Sequence, residues 1–97
     1  MAYEVLLTRR AEKDFNEIIE YLQRRWTETE VKAFHERFDK LLDVLEELAY
    51  AFPRSKYGTN LRKAVHSKQT VLYYQIRGDK VYIVYIFHTK KDPGKIV

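Results

Sequence analysis

The sequence predicts an α+β domain of order β-α-α-β-β-β: an antiparallel sheet with an N-terminal helical hairpin packed on one face. Three observations carry this. Residues 70–77 and 80–88 are rich in β-branched and aromatic side chains and are split by Gly78-Asp79, a two-residue glycine turn of the kind that closes hairpins. Residues 8–52 hold two amphipathic segments, each opened by a threonine. The charge is divided too: residues 1–52 carry 8 Lys/Arg against 12 Asp/Glu, while residues 53–97 carry 10 against 2. An acidic helical half and a basic sheet half are expected, and a basic face draws polyanions such as nucleic acid or an acidic protein segment.

Residues 2–8 alternate loosely, with Tyr3, Val5 and Leu7 on one side, and read as a short first strand. Thr8 then caps a helix whose Ala11, Phe15, Ile18, Leu22 and Trp26 recur at three-to-four spacing. Glu12 and Asp14 near its start and Arg24-Arg25 at its end suit the helix dipole. Thr27-Glu28-Thr29-Glu30 is a capping box that restarts a helix at once, so a tight αα-hairpin is expected. The second helix carries an apolar stripe of Val31, Phe34, Phe38, Leu41, Leu45, Leu48 and Phe52 until Pro53 stops it. That stripe reads as core, packed against the first helix and the sheet. Residues 54–60 are a loop, residues 61–66 a strand and residues 67–69 a turn. The tail from Thr89 lacks periodicity and is expected to be partly mobile.

If Gly78-Asp79 is the loop, Arg77 lies opposite Lys80, Ile76 opposite Val81, Tyr74 opposite Ile83 and Leu72 opposite Tyr85. The apolar face of Leu72, Tyr74, Ile76, Val81, Ile83, Tyr85 and Phe87 then belongs under the helices. The mixed face of Val71, Tyr73, Gln75, Tyr82, Val84, Ile86 and His88 stays open.

At 97 residues the chain has room for one domain, residues 1–97, with one core. The absence of cysteine excludes disulfides, thiolate metal sites and a cysteine nucleophile. No apolar run reaches membrane-spanning length and Met1-Ala2-Tyr3-Glu4 leads straight into the first strand, so a cytoplasmic protein is expected, with no membrane partner. His35, His66 and His88 are far apart and lack neighbouring acids at ligand spacing, so neither a metal nor a cofactor is expected. No Ser-His-Asp order, Walker loop or dinucleotide glycine pattern occurs. Arg62 and Lys63 alternate on their strand, one facing the helices and one the open side; the inward one must be paired or near an edge. His88 has a side chain able to move a proton near neutral pH, but a histidine at a strand end reads first as structural or incidental. Tyr73 and Tyr82 offer stacking surfaces for bases and equally serve cross-strand packing.

Ala11-x-x-Asp14, Ile18-x-x-Tyr21, Trp26 ending the first helix, Leu61-Arg62, Tyr74-x-Ile76 and a last strand ending His88-x-x-x-Asp92-Pro93 follow one another in an order that resembles the RelE/ParE superfamily of type II toxin–antitoxin toxins, often labelled plasmid-stabilisation proteins. The resemblance covers nearly the whole chain and is closer to the ParE branch. It implies a bacterial or archaeal cytoplasmic toxin silenced by a cognate antitoxin, whose extended or helical segment wraps it in a hetero-oligomer. ParE-like members poison DNA gyrase, whereas RelE-like members are metal-independent endoribonucleases that cut mRNA on the ribosome. On the RelE-like reading Arg62 and His88 are the catalytic candidates, with Arg62 and Lys90 stabilising the charged phosphorane and His88 moving a proton. Arg62, Lys63, Tyr73, Tyr82, Lys90 and Lys91 are the candidates for binding nucleic acid or another target. The chain departs from the RelE pattern in having neither tyrosine nor arginine after its last strand, which favours the ParE-like reading. A third reading is a non-toxic, peptide-binding module of the same fold.

Overall fold

The computed structural model describes residues 2–56 and 60–89. Its order is β1 (Glu4–Leu7), α1 (Arg9–Arg25), α2 (Glu28–Glu47), β2 (Arg62–Ser67), β3 (Thr70–Arg77) and β4 (Lys80–His88), in a four-stranded sheet of order β1-β4-β3-β2. The helical hairpin lies on one face, as expected. β2, β3 and β4 are antiparallel, but β1 runs parallel to β4, so the sheet is mixed. The parallel pairing follows from the chain path. β1 forms one edge, the helices carry the chain across the sheet to β2 at the other edge, and the antiparallel β2-β3-β4 run returns β4 beside β1.

Both helices start as their threonines dictate. Thr8 Oγ1 accepts the Ala11 N–H at 3.1 Å and Thr27 Oγ1 accepts the Glu30 N–H at 3.4 Å. The stripes from Ala11 to Leu22 and from Phe34 to Leu45 are buried against Ala64, Leu72, Tyr74, Val81 and Ile83. α2 stops at Glu47, short of Pro53, and Leu48 is 60% exposed instead of buried. Carbonyls in its last turn and just beyond are taken by other groups. Glu46 O accepts Tyr3 N–H at 2.7 Å, Ala49 O accepts the Tyr74 hydroxyl at 2.6 Å, and Phe52 O accepts the Arg62 guanidinium at 2.7 Å. These tertiary bonds replace the helical ladder, so no helix breaker is needed.

The hairpin pairs as expected from Arg77↔Lys80 to Tyr74↔Ile83, turning at Gly78 with φ 60°. Beyond that the register changes. Tyr73 pairs with Tyr85, leaving Val84 as an extra residue in β4, so Leu72 faces Ile86 and not Tyr85. Such a bulge exchanges the faces of everything after it. Ile86 and His88, expected on the open face, turn under the helices; Tyr85 and Phe87, expected in the core, turn out, and Phe87 is 59% exposed.

The cause lies at the edge of β4. β1 ends at Leu7 opposite Ile83, so the rest of β4 needs another cover. Thr8 N–H donates to Ile83 O at 3.0 Å, Thr8 Oγ1–H to Val84 O at 2.7 Å, and Asp14 Oδ2 accepts the buried Ile86 N–H at 3.0 Å. The first turns of α1 thus take over from the strand, and the bulge brings these main-chain groups to them.

Candidate functional site

Three surfaces could carry function. The first is the open sheet face. Tyr73 and Tyr85 stack with ring centroids 4.8 Å apart, and the Arg10 guanidinium sits 5.6 Å from the Tyr85 centroid. Lys63 is the β2 partner of Tyr73, and Val65 and Phe87 are more than half exposed. Farther along, Arg77 lies 5.9 Å from the Tyr82 ring. Lys80 is bonded to Glu4 at 2.7 Å, which holds its pKa above the usual lysine value. Aromatic and aliphatic surface edged with cations can stack bases or bury apolar side chains of an acidic partner. Lys63, Tyr73 and Tyr82 lie on this side of the sheet, but Tyr73 is only 7% exposed and offers little ring surface of its own.

The second surface is a half-open cleft of about 180 Å³ lined by Tyr50, Arg54, Asn60, Arg62, Gln75, Ile76 and Arg77. Arg62 is the inward-facing member of its pair, on the edge strand, and Phe52 O and the Tyr50 ring at 4.9 Å hold its guanidinium. Arg54 forms an antiparallel bridge with Arg62, so the two arginines are direct cross-strand neighbours. Among the described residues none of the three arginines has a carboxylate within ion-pair distance.

The third is a recess of about 140 Å³ at the other end of the sheet, lined by Trp26, Phe34, Arg37, His66, Thr70 and His88 among others. His66 is the bulged residue of β2, and its ring packs 4.4 Å from that of Phe34. Its Nε2 lies 3.1 Å from Phe34 O, a distance that requires Nε2 to carry the proton; Nδ1 is then a buried lone pair, without a partner among the described residues. Burial lowers the His66 pKa, with Arg37 adding to the effect and the Phe34 bond opposing it. His88 Nδ1 lies 2.6 Å from the hydroxyl of the fully buried Thr70, and its ring meets Tyr21 and Phe34 edge-on.

The structure therefore separates the two residues paired as catalytic candidates. Arg62 lies opposite Tyr74 and His88 opposite Thr70. Four residues of strand, roughly 13 Å, part them. Neither is on the open face. Lys90 and Lys91 lie outside the described residues. His35 is exposed, its ring 5.4 Å from that of Phe15. Among the described residues no group of three or more His, Cys, Asp or Glu could hold a metal ion, and no helix is long and apolar enough to cross a membrane. Sequence reasoning passed over Arg10, Arg54 and Arg77. No motif singles them out: Arg10 is paired with Asp14 one turn on, while Arg54 and Arg77 have no carboxylate within ion-pair distance among the described residues.

A family model described as the ParE toxin of the type II toxin–antitoxin system, parDE, matches residues 5–93. The chain belongs to the ParE toxin family. Its fold is shared by solved structures at low identity. The chromosomal ParDE system of P. aeruginosa aligns with TM-score 0.77 and 13% identity over 92% of this chain and 98% of that one. The toxin of the E. coli DinJ–YafQ complex aligns with TM-score 0.63 and 10% identity over 91% and 93%. The isolated E. coli RelE toxin aligns with TM-score 0.56 and 20% identity over 96% and 90%. No curated protein matches significantly. ParE-family membership gives a physical reading to the Ala11-x-x-Asp14 helix start in this chain. Ala11 is fully buried and lets α1 approach the sheet, and Asp14 closes the β4 edge.

Proposed function

We propose that this ParE-family chain arrests growth by acting on DNA gyrase and is held inactive by a cognate antitoxin. The observation that carries the first part is the placement of Arg62 and His88. A metal-independent ribonuclease needs a proton acceptor, a proton donor and a charge-stabilising cation around one phosphate. Here the histidine is turned inward on Thr70 and the arginine is tied to Phe52 O at the far end of the strand. Among the described residues the open face carries tyrosines and cations, with Arg10 paired to Asp14 and Lys80 to Glu4. Lysine and tyrosine can also transfer protons, so the reading rests on the separation of Arg62 from His88 and not on the composition of this face. The P. aeruginosa ParDE system and the E. coli DinJ–YafQ complex, which this fold matches, support a partner antitoxin. The basic sheet half suits an acidic segment lying across that face or along the β2 edge.

The test is induction of wild type, Arg62→Ala and His88→Gln, with folding checked by circular dichroism. Gyrase–DNA breaks are scored beside transcript ends in translated mRNA. Breaks with wild type and with folded His88→Gln are the expected result. A-site cuts with wild type, lost separately in both folded variants, would make the chain a RelE-like ribonuclease. A wild type that folds and leaves growth unaffected would make it a binding module.

A further inference from the structure

We propose that the cleft walled by Arg54, Arg62 and Arg77 is a carboxylate clamp for an acidic, partly apolar peptide segment of a partner protein. The inference rests on the reading of the chain as one half of a two-protein module, and it names the anchor point.

The cleft is built for an oxyanion. Arg62 spends one N–H on Phe52 O and lies over the Tyr50 ring, so its guanidinium is held in place while its other N–H groups meet no acceptor among the described residues. Fixing the fork beforehand lowers the entropy lost when a carboxylate binds. Arg54 stands directly across from Arg62, a like-charge pair that is unfavourable in the free protein and becomes favourable with an anion between the two. Arg77 closes the third side, with the amide side chains of Asn60 and Gln75 as further polar lining. No described carboxylate neutralises any of the three.

Two neighbouring features select a peptide over a nucleic-acid backbone. β2 begins opposite Tyr74, so among the described residues no strand lies beside the edge of β3 from Gln75 to Arg77. A peptide main chain can pair with a bare edge. On the other side of the cleft Tyr50 is 63% exposed and continues into Leu48, 60% exposed, and Val44 one turn earlier on α2. That apolar strip meets leucine or phenylalanine side chains and offers nothing to a phosphodiester. A segment interspersing Asp or Glu with large apolar residues fits both features at once.

The experiment follows arginine Nε–Hε and Tyr50 ring signals by NMR during titration of the isolated chain. Three probes are used: a synthetic peptide alternating Asp/Glu with Leu/Phe, its Asn/Gln counterpart, and an oligothymidylate. The acidic peptide is expected to move the signals of Arg54, Arg62, Arg77 and Tyr50, and the amide peptide to leave them in place. Arg54→Gln and Arg77→Gln, both at exposed positions, should each weaken acidic-peptide binding roughly tenfold, the worth of one charge-assisted hydrogen bond. Arg62→Lys keeps the charge and loses the fork, and should weaken it as well. Equal binding of the amide peptide, or shifts confined to the Tyr73–Tyr85 face, would overturn the clamp. Tighter engagement of the same arginines by oligothymidylate would overturn it too, in favour of a phosphate site. A partner protein that neutralises wild type and the Arg54→Gln/Arg77→Gln variant equally would remove the clamp and leave the antitoxin reading standing. A chain that no partner neutralises, yet whose arginines bind the acidic peptide, would do the reverse.

Discussion

Asp14→Ala is the substitution that most directly probes how α1 holds the end of β4. The carboxylate is 8% exposed, accepts the Ile86 N–H at 3.0 Å through Oδ2, and receives Arg10 Nε at 2.9 Å through Oδ1. The two bonds differ greatly in value. Arg10 has a side chain 67% exposed, and an ion pair of that kind contributes about 0–1 kcal/mol. The Ile86 N–H is buried, with no other acceptor at hand. Its loss leaves an unsatisfied donor on a bulged strand, at about 1–3 kcal/mol, toward the upper end because the acceptor is charged. Asp14→Ala should therefore cost about 2–3 kcal/mol and Arg10→Ala less than about 1 kcal/mol. For a domain of this size the Asp14→Ala loss lowers Tm by roughly 8–24 °C. Asp14→Asn keeps an acceptor and should fall between. Urea unfolding at neutral pH measures the three variants, and amide exchange at Ile86 reports on the bond itself. An Asp14→Ala protein within about 0.5 kcal/mol of wild type, with Ile86 exchanging no faster, would show that the bulge stands without its carboxylate and refute the account.

Two further expectations concern titration. Burial lowers the His66 pKa below its usual 6.5, so the unfolded chain binds the extra proton first as pH falls. His66 should hold full stability above pH 6.5 and lose it as pH drops through 6.5 toward the folded pKa; the difference in urea midpoint between wild type and His66→Gln, followed against pH, isolates this from the carboxylates. Burial pushes the Tyr74 phenol up to about 12 from 10.0, the opposite sense for an acid, so its contribution is complete below pH 10 and lost as pH climbs toward 12. Tyr74→Phe should abolish that alkaline slope while costing about 1–3 kcal/mol at neutral pH, since Ala49 O loses its donor.

Local rules made most of the architecture legible. Threonine caps, three-to-four apolar spacing and a Gly-Asp turn are satisfied within a few residues, so Thr8, Thr27 and Gly78 are found where the sequence places them. Two features were hidden because their causes are distant in sequence. α2 ends early because Tyr3, Arg62 and Tyr74 claim carbonyls near its end, and none of those donors is within ten residues of Glu47. The β4 bulge answers to Thr8 and Asp14, more than seventy positions away. Strict alternation through Val84 looked sound because Tyr85 and Ile86 are both acceptable in a core, and composition could not choose between them. The candidate site suffered more than the fold. Lys63, Tyr73 and Tyr82 lie before the bulge or on unshifted strands and share the open face; His88 lies after it and does not.

That single inserted residue also governs how much the structural neighbours can say about activity. A fold shared with the E. coli RelE toxin at 20% identity transfers the scaffold and nothing of the chemistry, because function depends on which side chains reach one point. On an unbulged β4, His88 would stand on the open face in line with Tyr73 and Gln75, within reach of a strand of RNA lying over the tyrosines. With Val84 inserted, the same imidazole faces Thr70 and the ring of Phe34. Its Nδ1 is hydrogen-bonded to the Thr70 hydroxyl at 2.6 Å, away from the open face. The open face keeps the stacked tyrosines, Arg10 and Lys63. On the gyrase-directed reading proposed above, such a surface acts by occupying a target, and the turn of His88 at the end of β4 is the feature on which that reading rests.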